Sequence, residues 1–521
     1  MSKLLELFAI PSPDATPFIS PATVHNIKLP TVLRLCLSED QVQAVTAFLQ
    51  RPFDQGTLPK RQGFFEAFLY SDSMQTLFKE TQSALVYAHR LAEQYEKEKN
   101  NDMKNFLFFR CMDMLLTALS VIADATGGGE KTISIYSDFT DRLKTFCAAD
   151  ATKQAIQDLS AIRKTLRDVT AQTYEVRLYG SFMTDYRTVP VPDGSLDQQL
   201  LDLFKAMNMG VANPPIQREI RDSTFNTYVG MLMKSSVQLR GTLSTYHSRH
   251  MDLYNHIMPL DFSDISIALN IHTLFEYFTD KQIPHCFPAI STSRAAHIHD
   301  FYDISLLTQK IPAIIPNDYI CSDGEAVFIL TGVNSGGKTT YLRGLGLAIA
   351  FFAAGIFVPA TSATIPVYDR MEALFAGRSN VKARERFQQE REMVNDAIES
   401  MTATSMLLVN EIFSSIDEKT AVDEYSRVIK ILQQKGCHSL LITHLHSLAQ
   451  GVALPNIVSL TAMVGENSER TYKIKRFQGR SSNVMEILNK YGLGGHGDGS
   501  LSSANHGRQG TVPVSAERSA N

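Results

Sequence analysis

The densest run of chemistry-bearing residues is Gly332, Val333, Asn334, Ser335, Gly336, Gly337, Lys338 and Thr339, with Thr340 directly after it. The spacing is G-x-x-x-x-G-K-T. The apolar stretch Val327, Phe328, Ile329, Leu330 and Thr331 precedes it, and a proline-free segment follows. A strand that feeds a glycine-rich turn and then a helix is the setting in which this spacing holds phosphates. The glycines let the backbone curl so that N–H groups point inward, and the helix N-terminus adds a partial positive charge. Lys338 supplies a point charge for the β- and γ-phosphates, and the Thr339 hydroxyl supplies one position on Mg²⁺. The first expectation is therefore a nucleotide site built from residues 332–340, with ATP and Mg²⁺ as cofactors.

Two further segments carry matching chemistry. Met406, Leu407, Leu408 and Val409 form a second apolar strand candidate that ends in Asn410 and Glu411. Nucleotide hydrolases of this class place an acidic pair there: a carboxylate at Glu411 can act as general base for the attacking water, and the residue before it helps to hold the metal's water shell. An aspartate is usual at that position. Asn410 offers only a neutral carbonyl oxygen, so weaker metal affinity or slower turnover is expected. A third candidate, Ser439 to Thr443, delivers His444 to the same edge, where an imidazole can bond to a phosphate oxygen or the attacking water. The expected catalytic pair is Glu411 and His444, and the expected metal-binding pair is Thr339 and Asn410. His297, His299 and His446 have no comparable support.

The rest of the sequence must supply a scaffold for these groups. At 521 residues with 44% hydrophobic content, the chain exceeds the size of a single core, so two or more packed units are expected. Apolar residues three and four apart predict helices over 83–97, 104–123, 152–172 and 225–256, within a predominantly helical stretch from 30 to about 260. Turn chemistry concentrates at 127–129, 190–194 and 213–215. From about residue 283 the texture changes to short strands, 326–331, 406–409, 439–443 and 457–460, separated by helices. Residues 492–521, rich in Gly, Ser, Asn and His, are expected to form a disordered tail.

Composition excludes several classes. A formal charge of −4 carries no global basic field, so any nucleic-acid contact is local. Six scattered cysteines show no metal-ligand spacing, which fits a reducing cytoplasmic or nuclear (or nucleoid) setting. The N-terminus is too broken for a secretory signal. The longest apolar run, 344–358, is expected to be a buried helix and not a membrane span.

The sequence of residues 331–343, T-G-V-N-S-G-G-K-T-T-Y-L-R, resembles the phosphate loop of the MutS-type DNA mismatch repair ATPases. Gly355 to Ala360, Leu441 to His444 and Ile315 to Asp318 resemble that family's helix-to-strand turn, histidine switch and pre-loop segment, and Arg51 to Glu66 resembles the start of its helical core domain. The resemblance implies an N-terminal segment (1–29), a helical core and lever domain (30–284) and a P-loop ATPase domain of ABC type (285–491), followed by the tail. It also implies binding to double-stranded DNA and assembly as a homodimer, or as a heterodimer with a related subunit. The family's mismatch-reading and connector domains find no counterpart before Leu29, and no nuclease-like segment is expected at the C-terminus. Weak mismatch specificity follows as an expectation.

The resemblance further implies a signature loop that reaches the partner's γ-phosphate, here within 376–390. With Phe387 and Glu390 aligned to the family's Phe and Glu, Glu385 stands in the serine position, where a carboxylate repels triphosphate; Ser379 or Arg378 is the other alignment. The charged stretch 382–391 is equally well read as a solvated helix face. Three functions compete: an ATP-dependent DNA clamp, a nucleotide-binding scaffold with little hydrolysis, and another ABC-type ATPase. The third conflicts with the missing L-S-G-G-Q loop and with the long helical half. Lys234, Arg240 and Arg249 are candidate DNA contacts on a predicted lever helix.

Overall fold

The structure is a computed structural model. It describes residues 4–8, 16–51, 56–125, 134–170, 173–179, 182–189, 233, 236–309, 313–376, 382–445, 448, 456–465 and 469–477. Several positions singled out in the sequence lie outside the described residues: Arg378, Ser379, Lys234, His446, the turn segments 127–129, 190–194 and 213–215, and the tail from 492.

The N-terminal half is helical. Helices α1 (Pro21–Asn26), α2 (Leu29–Leu33), α3 (Glu39–Gln50), α4 (Leu58–Leu69), α5 (Asp72–Lys97), α6 (Asn101–Asp124), α7 (Ser134–Ala148) and α8 (Asp150–Thr170) precede α9 (Val237–Ile257) and α10 (Ser263–Asp280). The stretches expected from the three- and four-residue periodicity fall in α5, α6, α8 and the described part of α9. Asn100 starts α6 by accepting the N–H groups of Asp102 and Met103, both at 3.0 Å, which satisfies two of the donors that a helix start leaves free. Among the described residues α6 is the helix long and apolar enough to cross a bilayer, and 67% of that window is buried against its neighbours.

One element departs from the helical expectation. Strands β1 (Thr173–Tyr179) and β2 (Phe182–Val189) pair antiparallel, from Thr173 opposite Val189 to Tyr179 opposite Phe182. The β-branched and aromatic residues of T-Y-E-V-R-L-Y and F-M-T-D-Y-R-T-V favour extended pairing, a short signal between the helical segments on either side.

The C-terminal half is mixed α/β. Its strands are β3 (Ala289–Ile290), β4 (Ala296–Phe301), β5 (Asn317–Cys321), β6 (Val327–Thr331), β7 (Ser362–Ile365), β8 (Met371–Phe375), β9 (Met406–Asn410), β10 (His438–Ile442), β11 (Ile457–Val464) and β12 (Arg470–Arg476). Helix α11 (Lys338–Ala353) follows β6, α12 (Ala383–Ser400) follows β8, and α13 (Glu418–Lys435) follows β9. The main sheet has the order β12-β11-β6-β10-β9-β8 and is parallel except for β12. A smaller sheet runs β3-β7-β4-β5.

Every residue of β6 is buried, as expected for a parallel strand covered on both faces. The two-residue period sorts its side chains. Phe328 and Leu330, with Leu408, Leu440 and Ile442, join the core that contains α11 and the helical half. Val327 and Ile329, with Leu407, Val409 and Leu441, join a second core with Val394 and Ile398 of α12 and Val428 and Leu432 of α13. The expected buried helix over 344–358 is the apolar body of α11 and the turn after it.

The N-terminal segment ties the free edge of the sheet to this frame. The Met371 N–H donates to Phe18 O at 2.9 Å, and the Ser20 and Thr23 hydroxyls donate to Glu372 Oε2 at 2.5 and 2.6 Å. An otherwise unpaired edge beside β8 is thereby covered.

Register then fixes where the chemistry lies. Ile442 pairs with both Leu330 and Asn410, and Phe375 pairs with Asn410, so the carboxyl ends of β6, β8, β9 and β10 finish level with one another.

Candidate functional site

At that edge β6 ends in Thr331 and the chain turns through residues 332–337 into α11. Gly332 has φ of +131° and Gly337, which precedes the helix, has φ of +92°. A Cβ on Gly332 would lie 2.8 Å from Ala462 Cβ of β11, so both the angle and the space demand glycine. Asn334 and Ser335 are exposed at the crest, Val333, Gly337, Thr339 and Thr340 are half-buried, and Gly336 is buried. The first turn of α11 leaves N–H groups without intrahelical partners, directed into the mouth of the loop.

Lys338 is buried, and its ammonium sits inside the curl. Nζ donates to Gly332 O at 3.0 Å and to Val333 O at 3.2 Å, and lies 3.5 Å from Glu411 Oε1. Burial pulls its pKa below the ordinary lysine value, and the Glu411 carboxylate opposes that pull. The other Glu411 oxygen, Oε2, lies 3.0 Å from His444 Nε2. Beside this chain the Thr339 hydroxyl donates to Asn410 Oδ1 at 3.0 Å. The structure thus brings Lys338, Thr339, Asn410, Glu411 and His444 together from three separated segments. His297 and His299 lie elsewhere, on β4, where His299 Nδ1 is 3.7 Å from Asp318 Oδ1.

Glu411 is held in an unusual backbone. Its φ is +51° and that of Phe413 is +59°, left-handed values that cost about 1–3 kcal/mol each for side chains with a Cβ. The Glu411 N–H donates to Ile442 O at 3.0 Å, which ties the bend to the end of β10. His444 is 41% exposed and Glu411 29%, so the carboxylate–imidazole pair is reachable from solvent, whereas the Lys338 side chain is 3% exposed. A cationic buried head, helix-start N–H groups, a hydroxyl–carbonyl pair and a reachable carboxylate form a surface suited to a metal-complexed polyanion with a water to be deprotonated.

Residues 328–492 match the family model described as MutS domain V. The match begins within β6 and takes in the loop, α11, β9 and β10, the segments that build this edge. This stretch of the chain is similar to MutS domain V. A DNA mismatch repair protein MutS of Chlorobium limicola is 33% identical over 190 residues, which is 35% of this chain and 22% of the relative. The DNA mismatch repair protein MSH1, mitochondrial, of Arabidopsis thaliana is 29% identical over 176 residues, 33% of this chain and 16% of the relative. The matched stretch therefore spans only about a fifth of the length of these MutS relatives.

The MutS resemblance also drew attention to the pre-loop segment and to α12. The Asn317 side chain donates to Tyr472 O at 3.0 Å and accepts the Ile474 N–H at 2.7 Å, which ties β12 beside the loop, and the Tyr341 hydroxyl donates to Asp318 O at 2.8 Å. Glu385 is exposed in the first turn of α12. Two groups at the site escaped sequence reasoning. Tyr472 packs against Gly337, its ring carbon lying 3.5 Å from where a Cβ on that glycine would stand, and the Tyr425 hydroxyl donates to Ile412 O at 3.0 Å. Neither belongs to a motif, because only the closed tertiary fold brings them to the loop.

Proposed function

We propose that residues 332–340 bind ATP together with Mg²⁺, and that the chain hydrolyses it to drive a MutS-like, DNA-binding clamp. The observation that carries this reading is the convergence of Lys338, Glu411 and His444, with the Thr339–Asn410 pair beside them, at one edge of the sheet. Lys338 and the loop N–H groups hold the phosphates, and the Thr339 hydroxyl and Asn410 carbonyl are the donors present for the metal. Both are neutral oxygens of the kind that Mg²⁺ accepts directly or through its waters. When bound, the metal neutralises charge that builds on the phosphate oxygens. Glu411 takes the proton of the attacking water, and His444 orients Glu411 and donates to the phosphate.

The names of the matched relatives support a role in DNA mismatch repair; a role in recombination and a setting in the cytoplasm, nucleoid or nucleus are further parts of the proposal. Double-stranded DNA is the proposed partner. A dimer, of like chains or with a related subunit, is the proposed assembly, with a helical core and lever domain over 30–284, an ABC-type P-loop domain over 285–491 and nucleotide state shifting the lever arms between two arrangements. Of the lever candidates, Arg249 is already ion-paired with Asp158 at 2.9 Å, so Arg240 is the better placed to meet phosphate.

A second reading, a nucleotide-binding scaffold with little hydrolysis, is favoured by one specific feature: Asn410 puts a neutral amide where a charged oxygen would assist the metal. ATP turnover of the full chain, with and without duplex DNA, separates the two. Turnover that rises with DNA supports the clamp; binding without turnover, restored by Asn410→Asp, supports the scaffold.

A further inference from the structure

Helix α12 does more than cover the sheet: it touches the bend that carries Glu411. Glu390 is 3% exposed, and its two carboxylate oxygens have separate partners. Oε2 accepts the Phe413 N–H at 2.7 Å, and Oε1 accepts from Arg386 Nε at 3.1 Å. One turn away, the Phe387 ring meets the Phe413 ring edge-on at 5.6 Å, and Phe413 meets Tyr425 at 5.5 Å. From α13 the Tyr425 hydroxyl donates to Ile412 O at 3.0 Å and also lies 3.3 Å from Ile442 O. The residues just beyond Glu411 are therefore gripped from two helices, with a charge-assisted bond on one side and a phenol on the other. The grip lies where the backbone is left-handed at Glu411 and again at Phe413, a conformation the chain does not keep without such support.

We propose that Glu390 is a positioning residue that acts through the Phe413 N–H to hold the Glu411 carboxylate between Lys338 and His444, so that a shift of α12 is transmitted to the general base. This rests on the ATP-hydrolysing reading given above. The carboxylate of Glu390 is bonded to the Phe413 N–H and to Arg386, not to the groups of the glycine loop, so its removal is expected to spare the phosphate cradle and disturb the base. A misplacement of about 1 Å at a general base lowers rate by up to about 100-fold.

The test uses the full chain as Glu390→Leu, Glu390→Gln and Phe387→Ala. The readouts are single-turnover ATP hydrolysis, the Kd for a fluorescent ATP analogue with Mg²⁺, and hydrogen exchange of the peptide 410–416. Glu390→Leu is expected to slow hydrolysis by roughly 10- to 100-fold, to leave Kd within about twofold and to raise exchange of that peptide. Glu390→Gln keeps an acceptor for the Phe413 N–H and is expected to recover most of both rate and protection. Phe387→Ala, which leaves the carboxylate in place, gives a smaller rate loss at unchanged Kd, and it decides the matter should the leucine variant not fold.

An unchanged rate in Glu390→Leu or Phe387→Ala overturns the proposal, as does a glutamine variant as slow as the leucine one. If the wild type binds ATP without turning it over, the hydrolytic reading falls by itself. Exchange then judges the grip: loosening rescued by glutamine supports it, and no loosening overturns it.

Discussion

Strand β10 carries a histidine at each end, and the two live in opposite chemical worlds. His438, at the start, is 1% exposed; the Tyr368 hydroxyl lies 2.8 Å from its Nδ1 and Cys321 Sγ lies 3.6 Å from its Nε2. Burial, reinforced by the nearby Arg294 charge, lowers its pKa to about 4. His444, just past the other end, is 41% exposed and pairs with a carboxylate. At the amino ends of the strands polar groups are sealed and neutral and serve the fold. At the carboxyl ends the backbone must leave the sheet, and Glu411 and His444 are left reachable from solvent, at the edge where open α/β sheets bind ligands.

Removing a group from the reachable end should cost rate and spare stability. Glu411→Gln is expected to lower ATP turnover by about 10²- to 10⁴-fold with little change in nucleotide affinity, as measured by single-turnover kinetics beside equilibrium binding. Equal losses in rate and affinity would assign Glu411 to binding instead.

The sealed end should behave in the opposite way. The folded pKa of His438 lies below its unfolded value, so the unfolded chain takes up a proton first. Its contribution is present above the unfolded pKa and is lost as pH falls from about 6.5 toward about 4. The loss is on the order of 3 kcal/mol. Urea unfolding from pH 7 to 4 should show that slope in the wild type and a flatter one in His438→Gln, with turnover at pH 7.5 unaffected by the substitution. Parallel pH profiles in the two proteins would refute the assignment.

Much of this contrast was legible in the sequence. The G-x-x-x-x-G-K-T spacing, the Asn410–Glu411 strand end and His444 each mark the reachable edge, because phosphate chemistry constrains residue type at fixed spacing. The apolar runs likewise announce β6, β9 and β10, since strands covered on both faces must be apolar throughout. The sealed end was invisible. Nothing in the local sequence says that His438 meets Tyr368 and Cys321, which are distant in the chain and converge only through the packing of the smaller sheet and the β7–β8 connection against β10. The β1–β2 hairpin departs from expectation for a related reason: its signal is short and lies between two segments of helical periodicity, within a stretch read as predominantly helical. Glu390 stands out in the sequence by its alignment with the family's signature-loop Glu and by the charged run around it, and its burial under the Glu411 bend is a property of packing.

Two smaller effects concern the loop itself. Gly332→Ala places a methyl group 2.8 Å from Ala462 Cβ at a φ of +131°, so a loss of about 2 kcal/mol in stability or an equivalent loss in nucleotide affinity is expected, from thermal unfolding with and without ATP. A variant as stable and as tightly binding as the wild type would mean that the loop relaxes freely. The smallest expected change is Asn410→Asp, which restores a charged oxygen beside Thr339. Roughly tenfold tighter Mg²⁺ dependence of turnover is predicted from a magnesium titration.

The most direct measurement is isothermal titration of the purified chain with ATP and Mg²⁺, beside Lys338→Ala. One nucleotide should bind per chain, and the variant should bind roughly 100-fold more weakly while unfolding at a similar temperature. No heat of binding to the wild type, or equal affinity in the two proteins, would contradict a nucleotide site at the carboxyl edge of the sheet.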